Sequence, residues 1–147
     1  MSAFSQNGTP IQIKFVTEIK DGLRKENVAF DTNGLYYIKG SSTYLSFEEL
    51  QEVGPVKTII KITDSDVLIL RSGAAKMRQL YRKNEEIIGT FQNQMGTFEM
   101  TTKTNNIEYK YYKNSRKGTL FLSYELSLQG EKSGRYAISI TFKEREE

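Results

Sequence analysis

Arg71 is the residue whose type and position most directly suggest a chemical role. It ends the apolar run at residues 67–71, and in a strand it would share a face with Val67 and Ile69. Either that face is the one in water, or an arginine points into a core. A buried guanidinium needs an acceptor, which a protein carboxylate, backbone carbonyls or an anionic ligand can supply. We therefore take Arg71 as the candidate polar contact of a binding site. The candidate wall residues around a ligand are apolar: Met77, Phe91 and Phe98.

The composition excludes several common catalytic chemistries. The 147 residues contain no cysteine and no histidine, which removes disulfides, thiolate metal sites, Ser-His-Asp triads and histidine bases. Tyr109 and Lys113 have the spacing used by short-chain dehydrogenases, but that pairing requires a helix and this segment alternates like a strand.

Two acidic groups have simpler explanations than catalysis or metal binding. Asp64 and Asp66 lie in a short turn that lacks the further oxygen ligands and the glycine of a calcium loop. Glu48, Glu49 and Glu52 can in principle pair as acid and base, but no recognisable partner accompanies them. We predict no catalytic residue, no metal site and no cofactor, and hence a protein that is not an enzyme.

Basic residues interleaved with tyrosines suggest a second kind of surface, one that binds nucleic acid or another protein. Phosphate contacts combined with base stacking are typical of single-strand binders. The basic residues form two clusters: Lys76, Arg78 and Arg82, and then Lys110 and Lys113. The tyrosines among them are Tyr81, Tyr109, Tyr111 and Tyr112. Because the net charge is only +3 and glutamates interrupt the field, we expect an ordinary solvated face and do not expect nucleic acid to be a partner.

The elements that position these residues are short segments of alternating hydrophobicity. The pattern predicts strands at residues 11–19, 27–31, 35–39, 43–47, 56–63, 67–70, 75–82, 86–92, 97–103, 107–113, 120–129 and 135–143. Gly73, Gly89 and Gly96 are explained as backbone devices for bends and turns. Residues 48–55 are either one short helical turn or a connecting loop.

Many short strands at hairpin spacing, with no long helical pattern between them, predict an antiparallel meander. Closing such a sheet removes its two exposed edges. We therefore predict an all-β fold, a single antiparallel up-and-down β-barrel of about nine to eleven strands; a β-sandwich is the second choice.

The chain length suits one domain, residues 11–147, after a flexible leader at residues 1–10. We find neither a secretory signal nor an apolar run long enough to cross a bilayer. The sequence thus predicts a cytoplasmic protein without a membrane partner, and an outer sheet face is a candidate homodimer contact.

A sparse pattern of residues resembles the YwiB-like family of small bacterial proteins. The pattern comprises Leu35-Tyr36-Tyr37, Val56-Lys57-Thr58, Arg71-Ser72-Gly73, Met77, Gly89-Thr90-Phe91, Gly96, Thr102, Leu122, Tyr124 and Leu126. Where the family tends to have a Thr-Pro-aromatic-Gly turn, this chain has Asn93-Gln94-Met95-Gly96. The resemblance covers nearly the whole chain after the leader and implies a calycin-like barrel, similar to the lipocalins. The Gly-x-Trp signature of secreted lipocalins is absent because the chain has no tryptophan.

The function that these observations favour is binding of a small amphipathic or anionic molecule inside the barrel, since small barrels can hold one ligand. The alternative is an adaptor that uses the basic, tyrosine-rich outer surface.

Overall fold

A computed structural model describes residues 8–145 of the chain. Within that range the chain forms ten β-strands and no helix. The strands are β1 (Thr9–Asp21), β2 (Arg24–Lys39), β3 (Ser42–Gln51), β4 (Gly54–Ile62), β5 (Asp66–Gly73), β6 (Lys76–Arg82), β7 (Glu86–Asn93), β8 (Gly96–Tyr112), β9 (Lys117–Leu128) and β10 (Glu131–Glu144). The predicted all-β fold of about nine to eleven strands is confirmed.

The sheet is a closed up-and-down barrel. Each strand pairs antiparallel with the next along the chain, and β1 closes the barrel by pairing with β10, for example Ile13 with Phe142. Within residues 8–145 every strand therefore has a paired neighbour on both sides, and closure removes the two exposed edges that an open meander would have. The predicted barrel topology is therefore confirmed. No helix in the described range is long and apolar enough to cross a membrane.

The core runs through the barrel and includes the end where β1 begins and β10 ends, which we call the terminal end. Inward-facing aliphatic and aromatic side chains pack against one another there. Those at most 1% exposed include Ile11, Ile13, Leu45, Ile60, Leu120, Leu122, Ile140 and Phe142. Burying each such side chain contributes roughly 1.5–3 kcal/mol relative to exposure.

Tyrosine rings extend the packing of the terminal end. Tyr36 lies against Tyr111 and Phe142, with ring centroids 5.4 Å and 5.3 Å apart. The Tyr111 hydroxyl donates a 2.6 Å hydrogen bond to Glu144. Burial, together with this carboxylate, raises the pKa of Tyr111 to about 12. The terminal end is thus sealed by stacked aromatic rings.

The structure corrects several local predictions. Two pairs of predicted strands are continuous: residues 27–39 lie within β2, and residues 97–112 lie within β8. In β8 the predicted break is a β-bulge between Thr104 and Asn106, which bends the strand without ending it. In β2, Gly34 lets the neighbouring strands approach, since a side chain there would meet the backbone of Ser46 at 2.5 Å.

Residues 48–55 form neither a helical turn nor a long loop. β3 runs to Gln51 and β4 starts at Gly54, so a tight hairpin joins them. Cross-strand pairing between β3 and β4 overrides the weak local helical signal of the glutamates. Residues 1–7 of the predicted leader lie outside the described residues, and its last two residues, Thr9 and Pro10, belong to β1.

The side chain of Gln79 closes a gap between β6 and β7, which pair only through residues 76–78. Its Nε2 donates to the carbonyls of Leu80 and Ile87 at 3.1 Å and 3.0 Å, and to the Thr102 hydroxyl at 2.9 Å. Gly89 lacks a side chain where a Cβ would collide with the Gln79 amide. The prediction that Gly89 serves a bend or a turn is therefore wrong. Gly73 and Gly96 do adopt positive φ, 103° and 131°.

Candidate functional site

A cavity of about 320 Å³ lies inside the barrel at the end opposite the termini. Its rim includes Val28, which is 46% exposed, whereas Tyr81 deeper inside is 1% exposed. The side chains around it are mostly apolar or aromatic, and none is acidic. They are Phe15, Thr17, Val28, Ile69, Arg71, Met77, Tyr81, Phe91, Met100, Tyr124, Leu126, Leu128, Tyr136 and Ile138. The barrel is therefore filled at one end and hollow at the other.

The four residues predicted from the sequence lie side by side across this end of the barrel. Strand register pairs Arg71 with Met77, Met77 with Phe91, and Phe91 with Phe98. Arg71, Met77 and Phe91 line the cavity. Phe98 is half-buried and stacks on Phe91, with ring centroids 6.2 Å apart. One continuous row thus runs over four strands, although the residues span much of the middle of the chain.

Arg71 points into the barrel with Val67 and Ile69, as strand alternation predicted. Its Nε is buried and has no hydrogen-bond partner, and no salt bridge within residues 8–145 involves it. The Thr58 hydroxyl, on the neighbouring strand in register with Arg71, is likewise buried and unpartnered. Leaving a buried donor unpaired costs roughly 1–3 kcal/mol. An acceptor inside the cavity would therefore stabilise the Nε of Arg71.

Two tyrosine hydroxyls add further donors next to Arg71. The rings of Tyr81 and Tyr124 lie 4.9 Å apart, and Tyr136 stacks on Tyr124 at 5.5 Å. Burial raises the pKa of Tyr81 to about 12 and raises the pKa of Tyr124 well above its ordinary value. The positive charge of Arg71 acts on both in the opposite direction. Both phenols are protonated at neutral pH, as an ordinary tyrosine also is, and each has one O–H to donate.

Tyr81, Tyr124, Thr58 and Gln79 are interior polar residues that were not predicted from the sequence. From the sequence, Tyr124 was named only as part of the family pattern, and Tyr81 was predicted on an outer surface. Period-two alternation from Met77 through Gln79 to Tyr81 is the signal that identifies the inward face of β6.

The predicted tyrosine-rich basic surface does not form as expected. Tyr81 is 1% exposed, and Tyr109 and Tyr111 are packed against the core. The tyrosine from that set that is substantially exposed is Tyr112, at 49%. Three of the four tyrosine side chains point into the barrel, so they cannot contact a ligand on the outer wall.

The predicted basic residues are spread over separate parts of the wall. Lys76 and Arg78 are exposed on β6, whereas Lys110 and Lys113 are exposed on β8 and the turn after it. Arg82 is paired: it donates to both carboxylate oxygens of Asp66, at 2.7 Å and 2.9 Å. These bonds lower the pKa of Asp66. The wall therefore offers scattered cations and not one continuous basic field.

A second depression, of about 450 Å³, lies on the outer wall near β1, β8, β9 and β10. Charges of both signs surround it and compensate one another. Lys103 lies in register between Glu86 and Glu125, and Glu125 also approaches Arg135 at 4.0 Å. Among the residues that the structure describes, the depression has lining charges of both signs and no buried unpartnered polar group, so the interior cavity is the stronger candidate site. No group of three or more potential metal-ligating side chains occurs within residues 8–145.

Fold and cavity together define a closed, ten-stranded antiparallel barrel protein with a single arginine in a largely apolar interior. Residues 13–140 match the family described as "Domain of unknown function (DUF1934)", and the chain belongs to that family.

The chain is 32% identical over 135 residues to the "Uncharacterized beta-barrel protein YwiB" of Bacillus subtilis (strain 168), covering 92% of this chain and 94% of that protein. It is also similar to the crystal structure of the ywiB protein from Bacillus subtilis, with a TM-score of 0.86 and 31% identity over 97% of this chain and 99% of that one. The predicted membership in the YwiB-like family is confirmed. The finer likeness to calycins and lipocalins stays a prediction.

Proposed function

We propose that this protein binds a small amphipathic anion in the interior cavity, with Arg71 as the contact for the charged group. The observation that carries the proposal is the buried, unpartnered Nε of Arg71. A guanidinium facing an apolar cavity without a carboxylate lacks the compensation that buried charges normally have. An anionic ligand would supply the missing acceptor, and bidentate pairing with a carboxylate suits guanidinium geometry.

The size of the cavity limits the ligand. One water molecule occupies about 30 Å³ in the liquid, so a cavity of about 320 Å³ has the volume of roughly ten waters. A medium-chain carboxylate of about eight carbons has that size. Met77 and Phe91 would cover its hydrocarbon chain, while the hydroxyls of Tyr81 and Tyr124 would donate to its head group.

The lining favours an anion over a cation or a neutral chain. None of the lining side chains is a carboxylate, so a cation would have no partner of opposite charge. Tyr81 and Tyr124 are neutral O–H donors at neutral pH, and donors suit an anion. Hydrogen bonds to charged groups contribute roughly 1.5–3 kcal/mol, which corresponds to a preference of about tenfold to a hundredfold for the carboxylate over the matching alcohol.

Calorimetric titration with octanoate, 1-octanol and octylammonium tests this proposal. We expect octanoate to bind at least about tenfold more tightly than 1-octanol and octylammonium to bind least. Arg71→Met should remove the preference for octanoate while leaving binding of 1-octanol nearly unchanged. Arg78→Met is the matched control, because Arg78 lies on the outer face of β6 and is exposed. Equal affinity for octanoate and octanol in the native protein, or no binding of either, would show that the proposal is wrong.

The absence of catalysis and the cytoplasmic location predicted from the sequence stay predictions. The adaptor alternative has less support, because three of the four tyrosines that would stack on bases lie inside the barrel wall. A titration with single-stranded DNA at low salt tests what remains of it: phosphate contacts alone would give weak binding that disappears as salt is raised.

A further inference from the structure

The turns at the end of the barrel that holds the cavity, which we call the mouth end, have an unusual composition. Because the strands alternate in direction, five turns lie at this end: residues 22–23, 52–53, 74–75, 94–95 and 129–130. Glu52 is the one charged residue among them. Half of these residues are apolar: Leu23, Val53, Ala74, Ala75 and Met95. Turns are normally built from Gly, Pro, Asn, Asp and Ser, so turn formation alone does not explain these side chains.

The four turns at the terminal end have the ordinary polar composition. They comprise residues 40–41, 63–65, 83–85 and 113–116, and none of these residues is apolar. Five of them are charged: Asp64, Lys83, Glu85, Lys113 and Arg116. Apolar turns are therefore a property of the mouth end and not of the barrel as a whole.

Three large apolar side chains at the mouth end are almost fully exposed. Leu23 is 105% exposed, Leu50 at the end of β3 is 85% exposed, and Met95 is 83% exposed. We call these three residues the mouth ring. They belong to three different hairpins, β1–β2, β3–β4 and β7–β8, and so lie at separate positions around the end of the barrel. Separate side chains at hairpin tips do not form the continuous patch of a protein interface, but they can enter a planar apolar phase together.

The mouth ring lies at the opening of the interior cavity. The lining of the cavity reaches the mouth-end turns, since Leu128 is the last residue of β9 and Arg71 lies two residues before the end of β5. Val28, which also lines the cavity, is 46% exposed. A surface that contacts the mouth ring therefore covers the opening through which a ligand reaches Arg71.

Charges of both signs flank the mouth-end turns. Asp21 and Arg24 lie on either side of the β1–β2 turn, and Arg24 is held by Glu26 at 2.7 Å. Glu131 and Lys132 begin β10. None of the five turns carries the cluster of lysines and arginines that recognises anionic lipid. Flanking groups of both signs suit a surface whose head groups also carry both signs, such as phosphocholine.

We propose that the mouth ring docks on the surface of a bilayer of zwitterionic phospholipid, from which an amphipathic ligand enters the cavity. The choice of a bilayer rests on the proposed function, because amphipathic molecules accumulate in bilayers. Leu23, Leu50 and Met95 enter the boundary between head groups and acyl chains, while the strands stay outside. Such peripheral binding depends on the apolar area that is buried and needs no segment that spans the bilayer. The proposal replaces the prediction of no membrane partner, which was drawn from the lack of a signal and of a spanning run.

Flotation of the full chain with phosphatidylcholine vesicles at physiological salt tests the proposal. Leu23→Ser and Leu50→Ser should each lower the vesicle partition coefficient by about tenfold, because each removes one large apolar side chain from the contact. Raising the salt concentration should leave the coefficient unchanged, since apolar burial and not charge carries the contact. Ile38→Ser is the matched control and should bind vesicles like the native chain, because Ile38 is 49% exposed but lies at the terminal end. Thermal unfolding checks that all three variants fold.

A native chain that does not float with millimolar phosphatidylcholine would overturn the proposal, as would a loss of binding in Ile38→Ser equal to that in Leu23→Ser. Binding that requires anionic lipid and disappears as salt is raised would also overturn it. So would a dimer in the absence of lipid that Leu23→Ser dissociates, because a second copy would then cover the mouth ring.

Octanoate titration without vesicles separates this proposal from the one for the cavity. Leu23 does not line the cavity, so Leu23→Ser should bind octanoate with the native Kd. Vesicle binding that depends on Leu23 supports the docking surface even if octanoate fails to bind. Octanoate binding without vesicle binding overturns the docking surface and leaves the proposed function intact.

Discussion

Replacing Arg71 by methionine should stabilise the ligand-free protein. The change removes a guanidinium whose buried Nε has no partner, while the methionine side chain keeps the packing of the aliphatic stem. A buried, unpaired donor costs roughly 1–3 kcal/mol. Arg71 is only half-buried, so part of its charge reaches water, and we take the lower limit. The free energy of unfolding should rise by about 1 kcal/mol, and Tm by about 3 °C for a domain of this size.

Urea unfolding of the native protein, Arg71→Met and Arg78→Met measures the effect, with the slope m checked for constancy. Arg78→Met, on the exposed outer face of the same region, should change the free energy of unfolding by less than about 0.5 kcal/mol. An arginine that anchors the structure would behave in the opposite way, because breaking a buried ion pair costs roughly 3–5 kcal/mol. If Arg71→Met lowered the free energy of unfolding by about 1 kcal/mol or more, the inference that the Nε of Arg71 lacks an acceptor would be wrong.

Ligand should reverse the order of stability of these two proteins. Octanoate at one hundred times its Kd stabilises the native protein by about 2.7 kcal/mol through mass action. Arg71→Met, which we expect to lose the preference for octanoate, should gain much less. The native protein would then be the less stable one without octanoate and the more stable one with it. A site retained for binding at a cost in stability produces this crossing.

Two further changes test the interior packing and its titration. Gly89→Ala should destabilise the protein by roughly 1–3 kcal/mol, because the added methyl group collides with the Gln79 amide and overpacking is costly; guanidinium unfolding measures this, and Thr90→Ala on the exposed face of β7 is the control. The pKa of Tyr81 is raised to about 12 in the folded protein, so its contribution to stability is complete below about pH 10 and is lost as the pH rises toward 12, by up to about 1.4 kcal/mol per pH unit. Urea midpoints between pH 9 and about pH 11.5 should fall less steeply in Tyr81→Phe than in the native protein, and parallel curves would contradict the assignment.

The local alternation of hydrophobicity was sufficient to predict most of the barrel. It placed Arg71 on the same face as Val67 and Ile69, which is the inner face in the structure. It failed where a signal that resembles a break lies inside a strand, as at Gly34 and at the bulge before Asn106. A glycine or a bulge looks the same in the sequence whether the strand ends there or only bends. Only pairing with the neighbouring strands distinguishes the two cases.

The candidate site was predictable in part. Arg71, Met77, Phe91 and Phe98 were named from their residue types, and the structure places them in one row. The donors next to Arg71 were not foreseen, since Tyr81 and Tyr124 are distant in the chain. Tyr81 was expected on the outer wall because Arg78 and Arg82, close to it in the sequence, suggested a basic surface. In the structure Tyr81 lies on the inward face of β6. Shifting a strand by one residue moves each of its side chains to the opposite face.

The sequence by itself determined the kind of protein: a chain of alternating strands without histidine or cysteine, which closes into a barrel and has no thiolate or imidazole chemistry available. These properties follow from composition and from contacts between near neighbours. The tertiary structure decided which end of the barrel is filled, which hydroxyls approach Arg71, and that Gln79 occupies the space left by Gly89. Those outcomes depend on the register and stagger of strands around a closed sheet. Closure fixes the register of every strand at once, so no local stretch of sequence contains it.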